Sequence, residues 1–159
     1  MTQNHPHKKC ILFVCLGNIC RSPMGEEVFR TLAARAGRTE EFIVDSAGLI
    51  DFHKGELPDP RMRKHAMARG YHLTHHSRPV SPEDFHTFDF IVAMDEKNLR
   101  NLTRMAHSTR TRAKLIRMAD YLTHHRATYI PDPYYGTDND FEHVIDLLED
   151  ACTSLLNQL

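Results

Sequence analysis

The run Cys10-Ile11-Leu12-Phe13-Val14 is apolar without a break and stops at Cys15-Leu16-Gly17-Asn18, after which Ser22-Pro23 opens a helical pattern. Successive side chains of a strand point to opposite faces of a sheet, so an unbroken apolar run belongs to a strand covered on both sides. Helices on both faces of a parallel sheet give that cover, and the rest of the chain repeats the same alternation of strand and helix.

The first helix has Ser22 as its expected N-cap and Pro23 at the first helical position, with Met24, Val28, Leu32 and Ala36 on one face and Gly37 as its stop. Phe42-Ile43-Val44 reads as a second strand running into Asp45-Ser46-Ala47-Gly48, and residues 60–69 as a second helix ended by Gly70. A strand over 88–94, helices over 95–106 and 138–157 and a short strand over 114–116 complete the pattern. The expected fold is an open parallel four-stranded α/β sheet with helices on both faces, of flavodoxin-like type. At 159 residues, 41% hydrophobic and 26% charged, the chain has the size of a single domain, taken as 1–159 with 1–8 as a flexible N-terminal extension.

Composition narrows the partners. A formal net charge of -1 provides no global field for nucleic acid or an anionic membrane, so any anion site must be local. The apolar runs fall far short of the ~20 residues that a membrane helix needs, and no apolar stretch follows the charges at the start of the chain. A cytoplasmic protein, monomeric or weakly self-associating, is expected. Four cysteines, at 10, 15, 20 and 152, do not make a disulfide framework. Of twelve histidines, the pairs His75-His76 and His124-His125 lack further ligands at metal-binding spacing. They read as solvated surface, and neither metal nor other cofactor is expected.

The segment Cys15-Leu16-Gly17-Asn18-Ile19-Cys20-Arg21-Ser22 lies where an open α/β sheet binds ligands, beyond the carboxyl end of a strand and at the start of a helix. Gly17 and Asn18 are the residue types that most easily take left-handed backbone angles, which would turn successive N–H groups inward around an anion. The helix dipole adds to the positive potential. Arg21 can grip two phosphoryl oxygens in a fork while Cys15 lies beneath the phosphorus, and the same amides favour a thiolate. Ser22 has two readings, a hydroxyl donor to that sulfur or the helix cap, and the sequence leaves both open.

Cleaving a phosphate ester also needs a proton for the departing oxygen. Asp59 and Asp132 each stand between two prolines. Asp59 has an ordinary task as N-cap to a helix beginning at Pro60. Asp132 has none, which favours it as the acid, and Tyr134 and Tyr135 beside it could wall an aromatic slot. Phe52 is the candidate for the opposite wall, with core packing as its other reading.

These residues resemble the low-molecular-weight protein-tyrosine phosphatases over essentially the whole chain. The likeness rests on residues 14–23, Asp45-Ser46-Ala47-Gly48, Phe88-Asp89, Met94-Asp95 and Asp132-Pro133-Tyr134-Tyr135-Gly136. It implies the fold of phosphotyrosine phosphatase I and hydrolysis of phosphotyrosine in proteins or peptides through a cysteinyl-phosphate, with inorganic phosphate as product. Cys15 would then be the nucleophile, Arg21 the phosphate ligand and Asp132 the acid and later base. Leu16, Gly17, Asn18, Ile19, Cys20 and Ser22 would form the phosphate loop, supported by Asn18, Ser22 and His75. Cys20 would pair reversibly with Cys15 on oxidation. Gly25 departs from the family's usual Ala, which should weaken the first helix slightly. Relatives that act on phosphoarginine typically carry Thr where Ile19 stands. An arsenate reductase would need further downstream cysteines, and Cys152 alone follows. A non-catalytic phosphotyrosine-binding module would lack one of the Cys, Arg and Asp that are all present here.

Overall fold

The structure is a computed structural model that describes residues 7–159; of the expected N-terminal extension, residues 1–6 lie outside the described residues. The chain runs β1 (Lys9–Cys15), α1 (Arg21–Arg35), β2 (Phe42–Gly48), α2 (Pro60–Ala68), α3 (Asp84–Thr87), β3 (Phe90–Ala93), α4 (Glu96–Met105), α5 (Thr109–Arg112), β4 (Leu115–Arg117) and α6 (Asp138–Gln158). The four strands form one parallel sheet in the order β2-β1-β3-β4. Strand β1 is central, with β2 on one side and β3 on the other. Its carboxyl end therefore sits where the chain changes direction across the sheet, the place at which such folds bind ligands.

The unbroken apolar run of β1 serves two cores. Ile11, Phe13 and Cys15 join Met24, Val28 and Phe29 of α1 and Phe141, Ile145 and Leu148 of α6. Cys10, Leu12 and Val14 face the opposite way, toward Phe85, Phe88, Leu102 and Ala106. Gly25 is filled space rather than a weak point of α1. A Cβ there would lie 3.2 Å from both Met94 and Phe13 and 3.6 Å from Leu148, so glycine lets the helix approach the sheet and α6 closely.

Helix α1 ends as expected. Gly37 takes φ 71°, and the N–H groups of Gly37 and Arg38 donate to Ala34 and Ala33 carbonyls at 3.0 and 2.8 Å, closing a Schellman motif. The start differs from expectation. Cys20 is the N-cap and Ser22 lies inside the first turn, with its hydroxyl directed elsewhere. The short helices α3 and α5 and the 3₁₀ turns Thr39–Glu41 and Met118–Tyr121 have no counterpart in the sequence reading, being too brief to show a helical period.

Several histidines expected as solvated surface instead hold elements together. The His65 ring stacks on Phe141 at 5.9 Å and bonds Glu142 and Asp138 at 2.9 and 3.1 Å, joining α2 to α6. Hydrogen bonding to Glu142, with a smaller part from Asp138, raises its pKa against the effect of burial. His125 bonds through Nδ1 to Asp150 of α6 at 2.9 Å, and that carboxylate also accepts from the N–H groups of Thr123, His124 and His125 and from the Thr123 hydroxyl.

Burial alone would raise the pKa of Asp150, but these donors outweigh it and hold the carboxyl well below the usual range. Its stabilising contribution is therefore present above the ordinary carboxylate pKa and is lost as pH falls through the lower folded value. Asp150→Ala strands five donors of the 123–125 segment. It is expected to lower unfolding free energy by about 3 kcal/mol, read as a reduced urea midpoint at unchanged m-value, with KM unaffected.

Candidate active site

The loop between β1 and α1 has its carbonyls turned outward. The oxygens of Cys15 and Leu16 accept from Leu49 N–H at 3.0 and 2.9 Å, and Leu16 also accepts from Ile50 N–H at 3.1 Å. Gly17 O accepts from the Ser77 hydroxyl at 3.1 Å, and Ile19 O from Asp59 N–H at 2.8 Å. In a planar trans peptide the N–H of the next residue points opposite to the carbonyl. The N–H groups of Leu16, Gly17, Asn18 and Cys20 are thus aimed into the concave side, and among the described residues none donates to a protein acceptor.

Asn18 alone carries the left-handed turn, with φ 56°. Gly17, expected to share it, does not have positive φ; its lack of a side chain matters because a Cβ would lie 3.2 Å from the His53 ring. Gly48 makes room from below, where a Cβ would lie 3.0 to 3.1 Å from Leu16 O and from Asn18.

Beneath the loop a buried network fixes Asn18. Its amide donates to the hydroxyls of Ser22 and Ser46 at 2.8 and 3.0 Å, and its carbonyl accepts from Arg78 N–H at 3.0 Å and meets His75 Nε2 at 2.8 Å. Ser46 passes its hydrogen to Glu26 at 2.7 Å, and His75 Nδ1 lies 3.4 Å from Glu26 and 3.5 Å from Asp45. Ser22 Oγ accepts from Asn18, and its own hydrogen has two acceptors in reach, the Cys15 sulfur at 3.0 Å and Ala47 O at 3.4 Å; Ser22 N–H lies 3.4 Å from the same sulfur. The two readings of Ser22 are thereby separated: its hydroxyl addresses the sulfur and does not cap the helix. The side chains of Asn18 and Ser22, expected to support the loop, are fully buried and stand behind it.

Arg21 is buried, and its Nη1 donates to Asp95 at 2.7 Å and to Ile130 O at 3.0 Å; Nη2 lies 3.6 Å from Asp132. Burial opposes its charge, but Cys15, Asp95 and Asp132 outweigh that and raise its pKa. Sequence reasoning missed Asp95, Ser46, Glu26 and Arg78 in these supporting roles. Asp95 had left a signal, a carboxylate just past β3 and so at a second strand end.

Cys15, Leu16, Gly17, Ile19, Cys20, Arg21, Phe52, Asp132, Tyr134 and Tyr135 line one cavity of about 230 Å³, joined by Ile50 and His53, which the sequence reading had not singled out. Phe52 is 79% exposed, so it is not core. It stands edge-on to His53 at 4.8 Å, as Tyr134 does to Tyr135 at 4.9 Å.

The two Pro-flanked carboxylates differ in kind. Asp59 caps α2 and is occupied by the Arg61 N–H, Nε and Nη2 at 2.8, 3.1 and 2.9 Å; these bonds overcome burial and lower its pKa. Among the described residues Asp132 accepts only from Tyr134 N–H at 3.1 Å, beside the weaker approach of Arg21, and faces the cavity. Cys20 is held as a thiol by burial and by Asp59, Cys15 and Asp132, against Arg61. Burial also pushes the Cys152 thiol up; Cys10 and Cys152 are both packed into the cores.

Residues 10–159 match the family model described as low molecular weight phosphotyrosine protein phosphatase. The phosphatase of that name from Sus scrofa is 40% identical over 152 residues, covering 95% of this chain and 96% of the relative. A protein tyrosine phosphatase of Entamoeba histolytica, solved with Hepes in its active site, superposes with TM-score 0.92 at 44% identity and covers 95% of this chain and 96% of its own. A drosophila arginine phosphatase superposes with TM-score 0.87 at 31% identity, over 93% and 96%. No helix of the described residues is long and apolar enough to cross a membrane. A family match over residues 10–159, and relatives at this identity over more than nine-tenths of the chain, lead to one conclusion: the chain belongs to the low-molecular-weight phosphotyrosine protein phosphatase family.

Proposed function

We propose that the protein hydrolyses phosphotyrosine monoesters in proteins or peptides in two steps, with Cys15 as nucleophile. One observation carries the reading: the inward N–H groups of residues 16–18 and 20, with Arg21, surround a sulfur that also receives the Ser22 hydroxyl. Such a set of fixed donors is complementary to the oxygens of a phosphoryl group as charge redistributes during transfer. The Cys15 thiolate attacks phosphorus while Asp132 gives its proton to the phenolic oxygen, leaving cysteinyl-phosphate and free tyrosine. Asp132, now ionised, takes a proton from water, which attacks phosphorus and releases inorganic phosphate. The Ser22 hydroxyl then stabilises the departing thiolate. Arg21 binds the phosphoryl oxygens through donors that Asp95 and Ile130 do not occupy.

Phe52 and Tyr134 stand as walls for the substrate ring, and the apolar side chain of Ile19 suits a phenyl group. Cys20, protonated and in the same cavity, is the partner for a reversible disulfide with Cys15 that would guard the nucleophile from over-oxidation.

Hydrolysis of phosphoarginine is the second reading, raised by the 31% identical drosophila arginine phosphatase. The two are separated by kcat/KM on matched phosphotyrosine and phosphoarginine peptides. Preference for phosphotyrosine, with competitive inhibition by orthovanadate, is expected; preference for phosphoarginine would overturn the substrate assignment.

A further inference from the structure

Asp132 has few ties of its own. Its carboxylate is 44% exposed, accepts from Tyr134 N–H and lies 3.6 Å from Arg21, on an irregular segment between Ile130 and the start of α6. What fixes this segment laterally is Arg61, the second residue of α2. Its guanidinium carbon lies 5.4 Å from the Tyr134 ring centre and 4.8 Å from that of Phe141, and its donors grip both oxygens of Asp59. Asp59 is anchored in turn to the phosphate loop, through its N–H to Ile19 O at 2.8 Å.

A continuous path therefore runs from the phosphate loop through Asp59 and Arg61 to Tyr134 and, by the Tyr134 N–H, to the Asp132 carboxylate. Phe141 is fully buried and is also stacked by the His65 ring, so the guanidinium rests on a fixed platform. A planar cation that forks onto a carboxylate while lying on two rings demands Arg; Lys has the charge but neither the plane nor the fork.

From this geometry we infer that Arg61 is a positioning residue of the phosphatase, setting both the Tyr134 wall and the Asp132 acid relative to the phosphate loop. It does not line the cavity and touches no reacting atom. The inference rests on the functional reading above, in which Asp132 supplies the proton.

The test compares parent, Arg61→Met, Arg61→Lys and Asp132→Ala on two substrates: a phosphotyrosine peptide, whose leaving group needs the proton, and an aryl phosphate with a strongly acidic phenol, which needs it little. Arg61→Met is expected to lose about five- to tenfold in kcat and to gain in KM on the peptide, and to change less than about twofold in the rate of the phenol burst on the activated ester, the step that needs no proton from Asp132. Inhibition by inorganic phosphate should be unchanged, because the loop itself is intact. Arg61→Lys should fall between, at near-parent melting temperature, and provides the folded comparison if Met loosens α2.

Equal losses in peptide kcat and in the burst rate on the activated ester, or no loss in either, in the folded variants would overturn the positioning role. An Asp132→Ala enzyme without leaving-group dependence would instead overturn the functional reading itself, so the two failures are distinguishable.

Discussion

Cys15→Ser is expected to reduce turnover of a phosphotyrosine peptide by on the order of 10⁴-fold or more while leaving a folded protein that still binds phosphate. Sulfur and oxygen differ little in size, and the Ser22 hydroxyl at 3.0 Å can pair with either, so packing is barely disturbed. What changes is the nucleophile. An alcohol at this position stays protonated near neutral pH, and the polar groups beside it, the Ser22 hydroxyl and N–H, are donors rather than bases. Among the described residues no imidazole bonds to the sulfur: His75 is occupied by Asn18 on the far side of the network.

The amides of residues 16–18 and 20 and the Arg21 fork remain. The variant should therefore hold orthophosphate, and a phosphopeptide, with affinity close to that of the parent. Steady-state rates together with calorimetric titration of phosphate check both halves. Activity within tenfold of the parent would remove Cys15 from the chemistry, whereas loss of phosphate binding together with activity would mean that the substitution had damaged the loop.

The parts of this site that the sequence displays are those carried by local chemistry. Pro23 and Gly37 bound a helix, the run from Cys10 to Val14 demands two-sided burial, and a Cys, an Arg and a Ser fall within one strand-loop-helix unit. Those features follow from backbone geometry and are legible to anyone counting residues. The supporting shell is different in kind. Asp95, Ser46, Glu26 and Arg78 come from other strands and loops, and only the register of the sheet decides that Ser46 sits opposite Phe13 and thereby beneath Asn18.

Ser22 shows how near neighbours can still mislead. A Ser before Pro is an ordinary N-cap by composition, but the helix begins two residues earlier, at Arg21 rather than Pro23, and the hydroxyl has a sulfur to face. Histidine misled in the opposite direction. A charged or polar pattern reads as solvent-facing, yet His65 and His125 bond carboxylates of α6, a helix more than seventy residues from the first and more than ten from the second.

Asp132→Ala is expected to slow hydrolysis of a phosphotyrosine peptide by about 10²- to 10³-fold, the range a positioned general acid supplies. Asp59 cannot substitute, although it shares the Pro-Asp-Pro context, because three donors from Arg61 hold it ionised and it has no proton to give. The two chemical steps should respond differently to the leaving group. With an aryl phosphate whose phenol is strongly acidic, the bond to oxygen breaks without a proton and Cys15 is phosphorylated at nearly the parent rate. Hydrolysis of the cysteinyl-phosphate still needs a base for water, and that base is gone. The variant should then release a rapid burst of phenol, one per active site, followed by a slow steady state. Rapid-mixing measurement of the phenol reports both phases directly. A uniform slowing with no burst and no dependence on the leaving group would show that Asp132 shapes the cavity without moving a proton.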